Sequence, residues 1–127
     1  MVIIGIGTDL IEIERVVKAC KKQAFLLRAF TSEERKIIEA DVTKAAGNFA
    51  VKEAVAKMFG TGFRGIELNE VEVLRDSLGK PYVQLYGKAK YMAEEQQIDT
   101  IHVSITNTKE YASAFVVGER CICNERG

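Results

Sequence analysis

The sequence predicts an α+β fold, a single domain in which an antiparallel sheet packs against one long central helix. Apolar residues recur at helical spacing in the segment that ends at Phe59, and four later segments alternate between apolar and polar residues. The 127 residues, 47% of them hydrophobic, suffice for one domain with a real core. Helices gathered in the first half and paired strands in the second favour the α+β class over repeated strand and helix units.

The chain begins with a predicted buried strand, Val2–Thr8, which is apolar except for two glycines. Gly5 and Gly7 lack the third glycine of a dinucleotide fingerprint, so they indicate close backbone packing instead. Asp9 is therefore expected at the turn between this strand and a helix that runs from Ile11 to about Leu27.

Two further helices are predicted before the midpoint of the chain. The segment Thr31-Ser-Glu-Glu34 has the form of a capping box and predicts the start of one helix. The long helix is expected to start at Asp41 or Thr43 and to end at Phe59, where Gly60 stops it.

The second half predicts two hairpins separated by a short helix. The first hairpin pairs 66–74 with 81–86, and the second pairs 100–106 with 111–117. The helix between them is expected from Gly87 to about Gln97. The tail from about Arg120 is expected to be loosely ordered.

The chain has no overall charge bias, since 18 basic residues balance 18 acidic ones. This composition favours neither nucleic acid nor acidic membranes as a partner. Between Arg15 and Arg28, however, every charged residue is basic. The run is either a solvated helix face or a docking surface for an acidic partner or a phosphate. Only Phe25 interleaves it, which argues against stacking on single-stranded nucleic acid.

Cysteine content and hydropathy indicate the cytoplasm. Cys20, Cys121 and Cys123 are odd in number and lack the further ligands that would complete a zinc site. The apolar start of the chain has no basic segment before it, and no stretch reaches the length of a membrane span. We therefore expect a soluble, unprocessed protein in a reducing compartment.

Two charges stand beside the apolar stripe of the long helix, Glu53 and Lys57, one turn apart. Their order is also that of an ordinary surface ion pair, which is the alternative interpretation. Together with Asp9, Glu53 has the oxygen ligands that suit Mg²⁺, and Lys57 suits a phosphate. His102 is the only histidine, so a histidine-rich zinc site is excluded.

Four motifs together resemble holo-[acyl-carrier-protein] synthase, the small bacterial class of 4′-phosphopantetheinyl transferases. The resemblance covers nearly the whole chain in the same order, and its strongest parts are the aspartate block and the long helix. The motifs are Gly5-Ile-Gly-Thr-Asp-Leu-Ile-Glu12, Phe49-Ala-Val-Lys-Glu-Ala-Val-Ala-Lys-Met-Phe-Gly-Thr-Gly62, Leu78-Gly-Lys-Pro-Tyr82 and His102-Val-Ser-Ile-Thr106.

The resemblance implies transfer of the 4′-phosphopantetheine group from coenzyme A to a serine of apo acyl carrier protein, in support of fatty acid biosynthesis. Adenosine 3′,5′-bisphosphate would be released. Asp9 and Glu53 match the Mg²⁺ ligands of the family, and Lys57 matches its lysine at the phosphates. The resemblance leaves open whether Glu53 or a metal-bound water takes the serine proton.

The resemblance also implies contacts with both substrates and a homotrimer whose active sites lie between adjacent subunits. Further candidates for coenzyme A binding, besides Lys57, are Gly79, Lys80, Pro81, His102, Ser104 and Thr106. Arg15, Lys22 and Arg28 lie where family members dock the acidic helix of the carrier protein.

Two positions depart from the family pattern. Asn48 stands where an arginine is usual, and Asn107 stands where a histidine is usual. Two other functions remain open on the sequence: a non-catalytic module that binds carrier protein, and a different Mg²⁺-dependent nucleotide enzyme that acts on a small molecule.

Overall fold

The computed structural model describes residues 1–121, in which a long helix lies across a three-stranded sheet. Strand β1 (Val2–Glu12) pairs with β5 (Tyr111–Arg120), which also pairs with β4 (Thr100–Asn107), and both pairings are antiparallel. A separate antiparallel hairpin is formed by β2 (Val71–Arg75) and β3 (Pro81–Leu85). The predicted α+β class is therefore confirmed, with two sheets instead of one.

The helices agree with the prediction except near the start of the chain, where two short helices replace one long one. Helices α1 (Ile13–Ala19) and α2 (Gln23–Ala29) are separate, where one helix was expected. Lys22 has an extended backbone at the start of α2, which ends the helical hydrogen bonding between them. Helix α5 spans Gly87–Glu95, close to its predicted bounds.

Helix α3 (Ser32–Ala40) begins with the predicted capping box. The Thr31 side chain accepts a hydrogen bond from the backbone N–H of Glu34, and the Glu34 carboxylate accepts one from the backbone N–H of Thr31. Two amide groups that the helix itself leaves without partners are thereby satisfied. Glu34 continues from this cap into the protein interior, where it is fully buried.

Helix α4 (Lys44–Phe59) is the centre of the fold, and nearly all of its surface is covered. Its apolar residues make up seven of the fifteen buried residues of the larger core cluster, in which they pack against the inner face of the sheet and the hairpin. Gly60 ends the helix in the left-handed conformation, as predicted. A helix covered on nearly all sides is held in place by the elements around it.

The two glycines of β1 allow the strand to contact α4 directly. A Cβ atom built on Gly5 would overlap the carbonyl oxygen of Met58, and one built on Gly7 would overlap that of Ala54. The prediction of close backbone packing is confirmed, because only a residue without a side chain fits at these positions.

Three predicted boundaries are wrong, and one prediction lies outside the described residues. Strand β1 continues to Glu12, so Asp9 lies inside the strand opposite Ala114 and not at a turn. The segment before β2 forms a short 3₁₀ helix, Leu68–Glu70, in place of the start of a strand. Strand β5 extends to Arg120, while residues 122–127, in which the loose tail and Cys123 would fall, are not described.

Among residues 1–121, no helix is both long and apolar enough to cross a bilayer.

Candidate functional site

Asp9, Glu53 and Lys57 lie together at the contact between β1 and α4. The Nζ atom of Lys57 lies 3.2 Å from Oδ1 of Asp9 and donates to the carbonyl oxygen of Thr8 at 3.0 Å. Asp9 and Glu53 line the same hollow. Residues 48 positions apart in sequence are brought together because the glycines of β1 allow α4 to approach the strand.

The ordinary ion pair between Glu53 and Lys57 does not form. Among residues 1–121, the ion pairs of Lys57 include Asp9 alone, and Glu53 takes part in none. The Lys57 side chain is 56% exposed, whereas that of Asp9 is 16% exposed. Lys57 therefore presents its ammonium group at the surface, where the group contacts the Asp9 carboxylate.

The carboxylate of Glu53 is in an unfavourable electrostatic position. Partial burial raises its pKa, and the nearby negative charge of Asp9 raises it further, while Lys57 opposes the rise. A divalent cation bound by both carboxylates would offset the negative charge that they bring together. Among the described residues, no group of three or more histidine, cysteine or carboxylate side chains converges to hold a metal ion, so this site offers two carboxylates and no third side chain of these types. Two carboxylates suit Mg²⁺, which keeps several waters and takes phosphate oxygens as its remaining ligands.

Two hollows meet at Glu53. One, of about 440 Å³, is lined by Asp9 and Glu53 and is bounded by Phe25, Phe49 and Arg15. The other, of about 280 Å³, shares Glu53 with the first and is also lined by Arg28, by Glu67 and by apolar residues that include Phe63 and Ile66. Glu53 can thus be approached from two directions.

The basic residues between 15 and 28 form one groove of about 620 Å³ across α1 and α2. It is lined by the apolar residue Phe25 and by four basic residues, Arg15, Lys18, Lys22 and Arg28. Arg28 lies over the ring of Phe25, with 5.8 Å from its Cζ atom to the ring centroid. Phe25 and Arg15 also line the hollow that contains Asp9 and Glu53, so the basic groove leads into the carboxylate site.

His102, Ser104 and Thr106 lie on the other side of the sheet from Asp9 and Glu53. On β4 they alternate with Ile101, Val103 and Ile105, which pack on the core below α4. Successive residues of a strand point to opposite faces, so the three polar side chains face away from α4. His102 contacts Glu119 there, with 2.9 Å between Nε2 and Oε1. Within one chain, the predicted site residues are divided between two faces.

The turn residues Gly79 and Pro81 line a third polar hollow, of about 310 Å³, together with Lys44, Arg75 and Asn107. Gly79 has φ of 87°, the left-handed conformation that the turn requires. Lys80 does not line this hollow, although its backbone N–H donates to Asp76 and holds the turn. Of the three turn residues predicted to contact coenzyme A, two line the hollow and Lys80 does not, and the contact itself stays a prediction.

A buried polar network joins α4 to α3 and β2. The sequence analysis did not predict it. Lys52 and Glu34 form a fully buried ion pair, with 2.8 Å between Nζ and Oε1, and Lys52 also donates to the carbonyl oxygens of Leu68 and Val71. Asn48 donates to Glu34 and Val73 at 3.0 Å each. The sequence gives little indication of this network. Its one indication is that Glu34 belongs to a capping box and that Lys52 interrupts the apolar stripe of the next helix.

A small α+β domain whose central helix and first strand hold two carboxylates and a lysine defines a class of protein suited to binding a divalent cation and a phosphate. The chain belongs to the 4′-phosphopantetheinyl transferase superfamily, whose family model matches residues 5–116.

Individual relatives agree with this assignment over nearly their whole length. The chain is 64% identical over 117 residues to the holo-[acyl-carrier-protein] synthase of Lachnoclostridium phytofermentans, covering 92% of this chain and 96% of the relative. The solved holo-[acyl-carrier-protein] synthase of Neisseria meningitidis matches with a TM-score of 0.85 and 35% identity, over 94% of this chain and 100% of that one. The synthase of Bacillus anthracis, solved in complex with CoA (3′,5′-ADP), matches with a TM-score of 0.78 and 34% identity, over 94% and 98% of the two chains.

Proposed function

We propose that this protein transfers the 4′-phosphopantetheine group of coenzyme A to a serine of apo acyl carrier protein in an Mg²⁺-dependent reaction. The observation that carries the proposal is the convergence of Asp9, Glu53 and Lys57 at a site that a basic groove enters. Membership of the superfamily and 64% identity to a holo-[acyl-carrier-protein] synthase support the same reaction. The product would be holo acyl carrier protein, in support of fatty acid biosynthesis.

Asp9 and Glu53 would hold the metal ion, and the ion would offset negative charge on the coenzyme A pyrophosphate. The serine hydroxyl gives up its proton to Glu53 or to a water molecule, and its oxygen forms a new bond to the phosphorus nearer the pantetheine. The bond from that phosphorus to the bridging oxygen breaks, and adenosine 3′,5′-bisphosphate leaves with the electron pair.

Lys57 would stabilise the departing oxyanion. Its ammonium group is held by the carbonyl of Thr8 and by Asp9, so it is already oriented at the site before a substrate binds. An ammonium group has three donors, and it donates two of them to Thr8 and Asp9, which leaves one for a phosphate oxygen. A preoriented cation stabilises developing charge without the cost of reorganisation during the reaction.

The basic groove would dock the carrier protein through an acidic helix of that partner. Arg15, Lys22 and Arg28 line the groove, and Lys18 joins them. The groove leads to the hollow at Glu53, so a docked carrier would bring its serine to the carboxylates from that side. The second hollow at Glu53, which Phe63, Ile66 and Leu68 help to line, would leave separate room for the coenzyme A arm.

We further propose a homotrimer with active sites between adjacent subunits, in which a second copy covers the open face of the sheet. That face exposes Ile6, Leu10 and Phe115 by 58%, 65% and 46%. Exposed apolar side chains grouped on one sheet face mark an interface. His102, Ser104 and Thr106 lie on the same face, so in the proposed trimer they would lie against a neighbouring subunit and complete its active site. The number three comes from the family resemblance.

The deciding experiment is a mass-shift assay. The protein is incubated with coenzyme A, Mg²⁺ and apo carrier protein, and intact carrier is weighed by mass spectrometry. We expect the carrier to gain the mass of one phosphopantetheine group, and a carrier with alanine in place of its acceptor serine to gain none. Carrier that binds without any gain in mass would instead establish a non-catalytic binding module. Arm transfer to a small molecule and not to carrier would establish a different nucleotide enzyme.

A further inference from the structure

Lys52 is a fully buried lysine whose hydrogen-bond donors are all used inside the protein. Its Nζ atom lies 2.8 Å from Oε1 of Glu34 and donates to the carbonyl oxygen of Leu68 at 3.0 Å. It also donates to the carbonyl oxygen of Val71 and lies 5.3 Å from the ring centroid of Phe30. An ammonium group has three donors, so Lys52 has none left for a ligand. Lys52 can therefore affect a reaction only through the groups that it holds.

The carbonyl of Leu68 belongs to a short stretch, residues 66–68, that leads from the loop after α4 into the 3₁₀ helix. Within residues 1–121, the other hydrogen bonds made by the backbone of this stretch go to Glu70 and Val71, the residues that directly follow it. Core packing holds the side chain of Ile66 at the start of the stretch. The bond from Lys52 is therefore the one hydrogen bond that ties the backbone of 66–68 to α4.

Residues 66–68 form one wall of the second hollow at Glu53. All three residues line this hollow, together with Arg28, Phe63 and Glu53 itself. Glu53 directly follows Lys52 on α4, and successive residues of an α-helix point about 100° apart. One buried ammonium group therefore sets the distance between this wall and the helix turn that carries Glu53.

We propose that Lys52 is a positioning residue for the transfer reaction, which holds the wall formed by residues 66–68 at the spacing from Glu53 that coenzyme A requires. Loss of its hydrogen bonds would weaken coenzyme A binding. The basic groove lies across α1 and α2 and is not lined by Lys52, so binding of carrier protein would be retained. This proposal rests on the proposed function for the identity of the substrates.

The test measures the KM for each substrate in the wild type and in Lys52→Met. We expect Lys52→Met to raise the KM for coenzyme A by about 10-fold, because the wall and Glu53 lose their fixed spacing. The KM for carrier protein should change by less than about twofold. A smaller folded fraction by itself would lower the apparent kcat and leave both KM values unchanged, so the KM for coenzyme A separates positioning from stability.

The double variant Glu34→Gln/Lys52→Met tests the proposal even if Lys52→Met does not fold. It removes both charges of the buried pair with little change in volume, so it should unfold at a higher denaturant concentration than Lys52→Met. The hydrogen bonds to Leu68 and Val71 stay absent, and its KM for coenzyme A should remain about 10-fold above that of the wild type. A wild-type KM for coenzyme A in the double variant, or equal increases for both substrates, would overturn the proposal.

Ile98→Ala is the control for lost stability, because Ile98 is buried in the larger core cluster and lines neither hollow at Glu53. It should lower stability and leave both KM values within about twofold of the wild type. A rise in its KM for coenzyme A equal to that of Lys52→Met would show that lost stability is the cause, and the positioning role would be rejected.

Calorimetric titration with coenzyme A compares the same variants without turnover, so its result does not depend on the mass-shift assay. If the wild type binds coenzyme A but transfers nothing, the proposed function fails, and weaker binding in the double variant would still support the role of Lys52. Equal affinity in the wild type and the double variant would reject that role alone. A wild type that binds no coenzyme A would overturn both proposals.

Discussion

The Nζ atom of Lys52 lies 2.8 Å from Oε1 of Glu34, and both side chains are fully buried. Lys52 immediately precedes Glu53, so the ion pair fixes the turn of α4 that carries the candidate metal ligand. Three further groups donate to the Glu34 carboxylate: the backbone N–H groups of Thr31 and Val73, and the side-chain amide of Asn48. A carboxylate with this many donors is fully satisfied without water, which makes the network a rigid support for the site.

Lys52→Met should destabilise the protein by about 3 kcal/mol, because it leaves Glu34 buried without its cation. Chemical denaturation measures the free energy of unfolding directly. Lys36→Met is the matched control, since Lys36 forms an exposed pair with Glu33, with side chains 73% and 57% exposed. Such exposed pairs contribute less than about 1 kcal/mol. Similar losses in the two variants would show that burial does not govern the Lys52 pair.

Gly7→Ala should destabilise the protein more than Gly118→Ala, although both lie in the same sheet. A Cβ on Gly7 would overlap the backbone carbonyl of Ala54, and α4 would have to move. A Cβ on Gly118 would meet the sulfur of Met58 at 2.6 Å, the flexible end of a side chain that can turn away. We expect a cost of about 3 kcal/mol or more for Gly7→Ala and about 1 kcal/mol for Gly118→Ala, measured by denaturant unfolding.

Asp9→Asn and Glu53→Gln should each lower turnover by on the order of 100-fold or more, because each removes a ligand of the proposed metal ion. The fold should survive, since neither residue belongs to the buried network. Turnover is measured over a range of Mg²⁺ concentrations, with circular dichroism as the check on folding. Chelation of Mg²⁺ in the wild type should produce a comparable loss. Near-normal Mg²⁺-dependent turnover in either variant would remove that residue from the ligand set.

Charge reversal in the basic groove should weaken carrier binding and spare coenzyme A binding. Lys18→Glu and Lys22→Glu are the sharpest choices, because Arg15 and Arg28 also line the hollows that contain Glu53. Each reversal should raise the KM for carrier protein by about 10-fold at low salt, and less at high salt as screening increases. Lys36→Glu, on an exposed part of α3, serves as the control. Equal effects on carrier and coenzyme A would argue against docking in this groove.

Phe115→Glu should dissociate the proposed trimer, because a charge would replace an exposed aromatic side chain at the centre of the open sheet face. Sedimentation velocity should show a trimer for the wild type and a monomer for the variant, and the monomer should lose most transferase activity. Lys88→Glu, at the start of α5, is a control that should remain trimeric. A fully active monomer would contradict the proposal that the site lies between subunits.

The parts of the fold that could be predicted are those that depend on local sequence. The capping box at Thr31 and Glu34 and the left-handed glycine at Gly60 depend on neighbouring residues, and so do the four later strands, all of which are present in the structure. The length of β1 could not be predicted, because the strand continues past Asp9 only through its pairing with β5. The break after Ala19 was also missed, since apolar spacing continues across it.

The candidate site was predicted in its residue types but not in its arrangement. Glu53 and Lys57 stand out because charges beside an apolar stripe are unusual, and Asp9 because it follows a buried strand. Their sequence spacing favoured an ion pair between Glu53 and Lys57, whereas the folded chain pairs Lys57 with Asp9. The placement of His102, Ser104 and Thr106 on the opposite face is decided by strand register and by nothing local.

The fold class, the helix and strand types, the carboxylate and lysine candidates and the basic run could be predicted from the sequence, because propensity, periodicity and charge act over a few neighbouring residues. Three relationships depend on the folded chain: the pairing of Lys52 with Glu34 in the core, the hydrogen bond that Asn48 accepts from Arg75, and the division of the site residues between two faces of the sheet. The first two join residues 18 and 27 positions apart, and they follow from the packing of α3 and of the β2–β3 hairpin against α4.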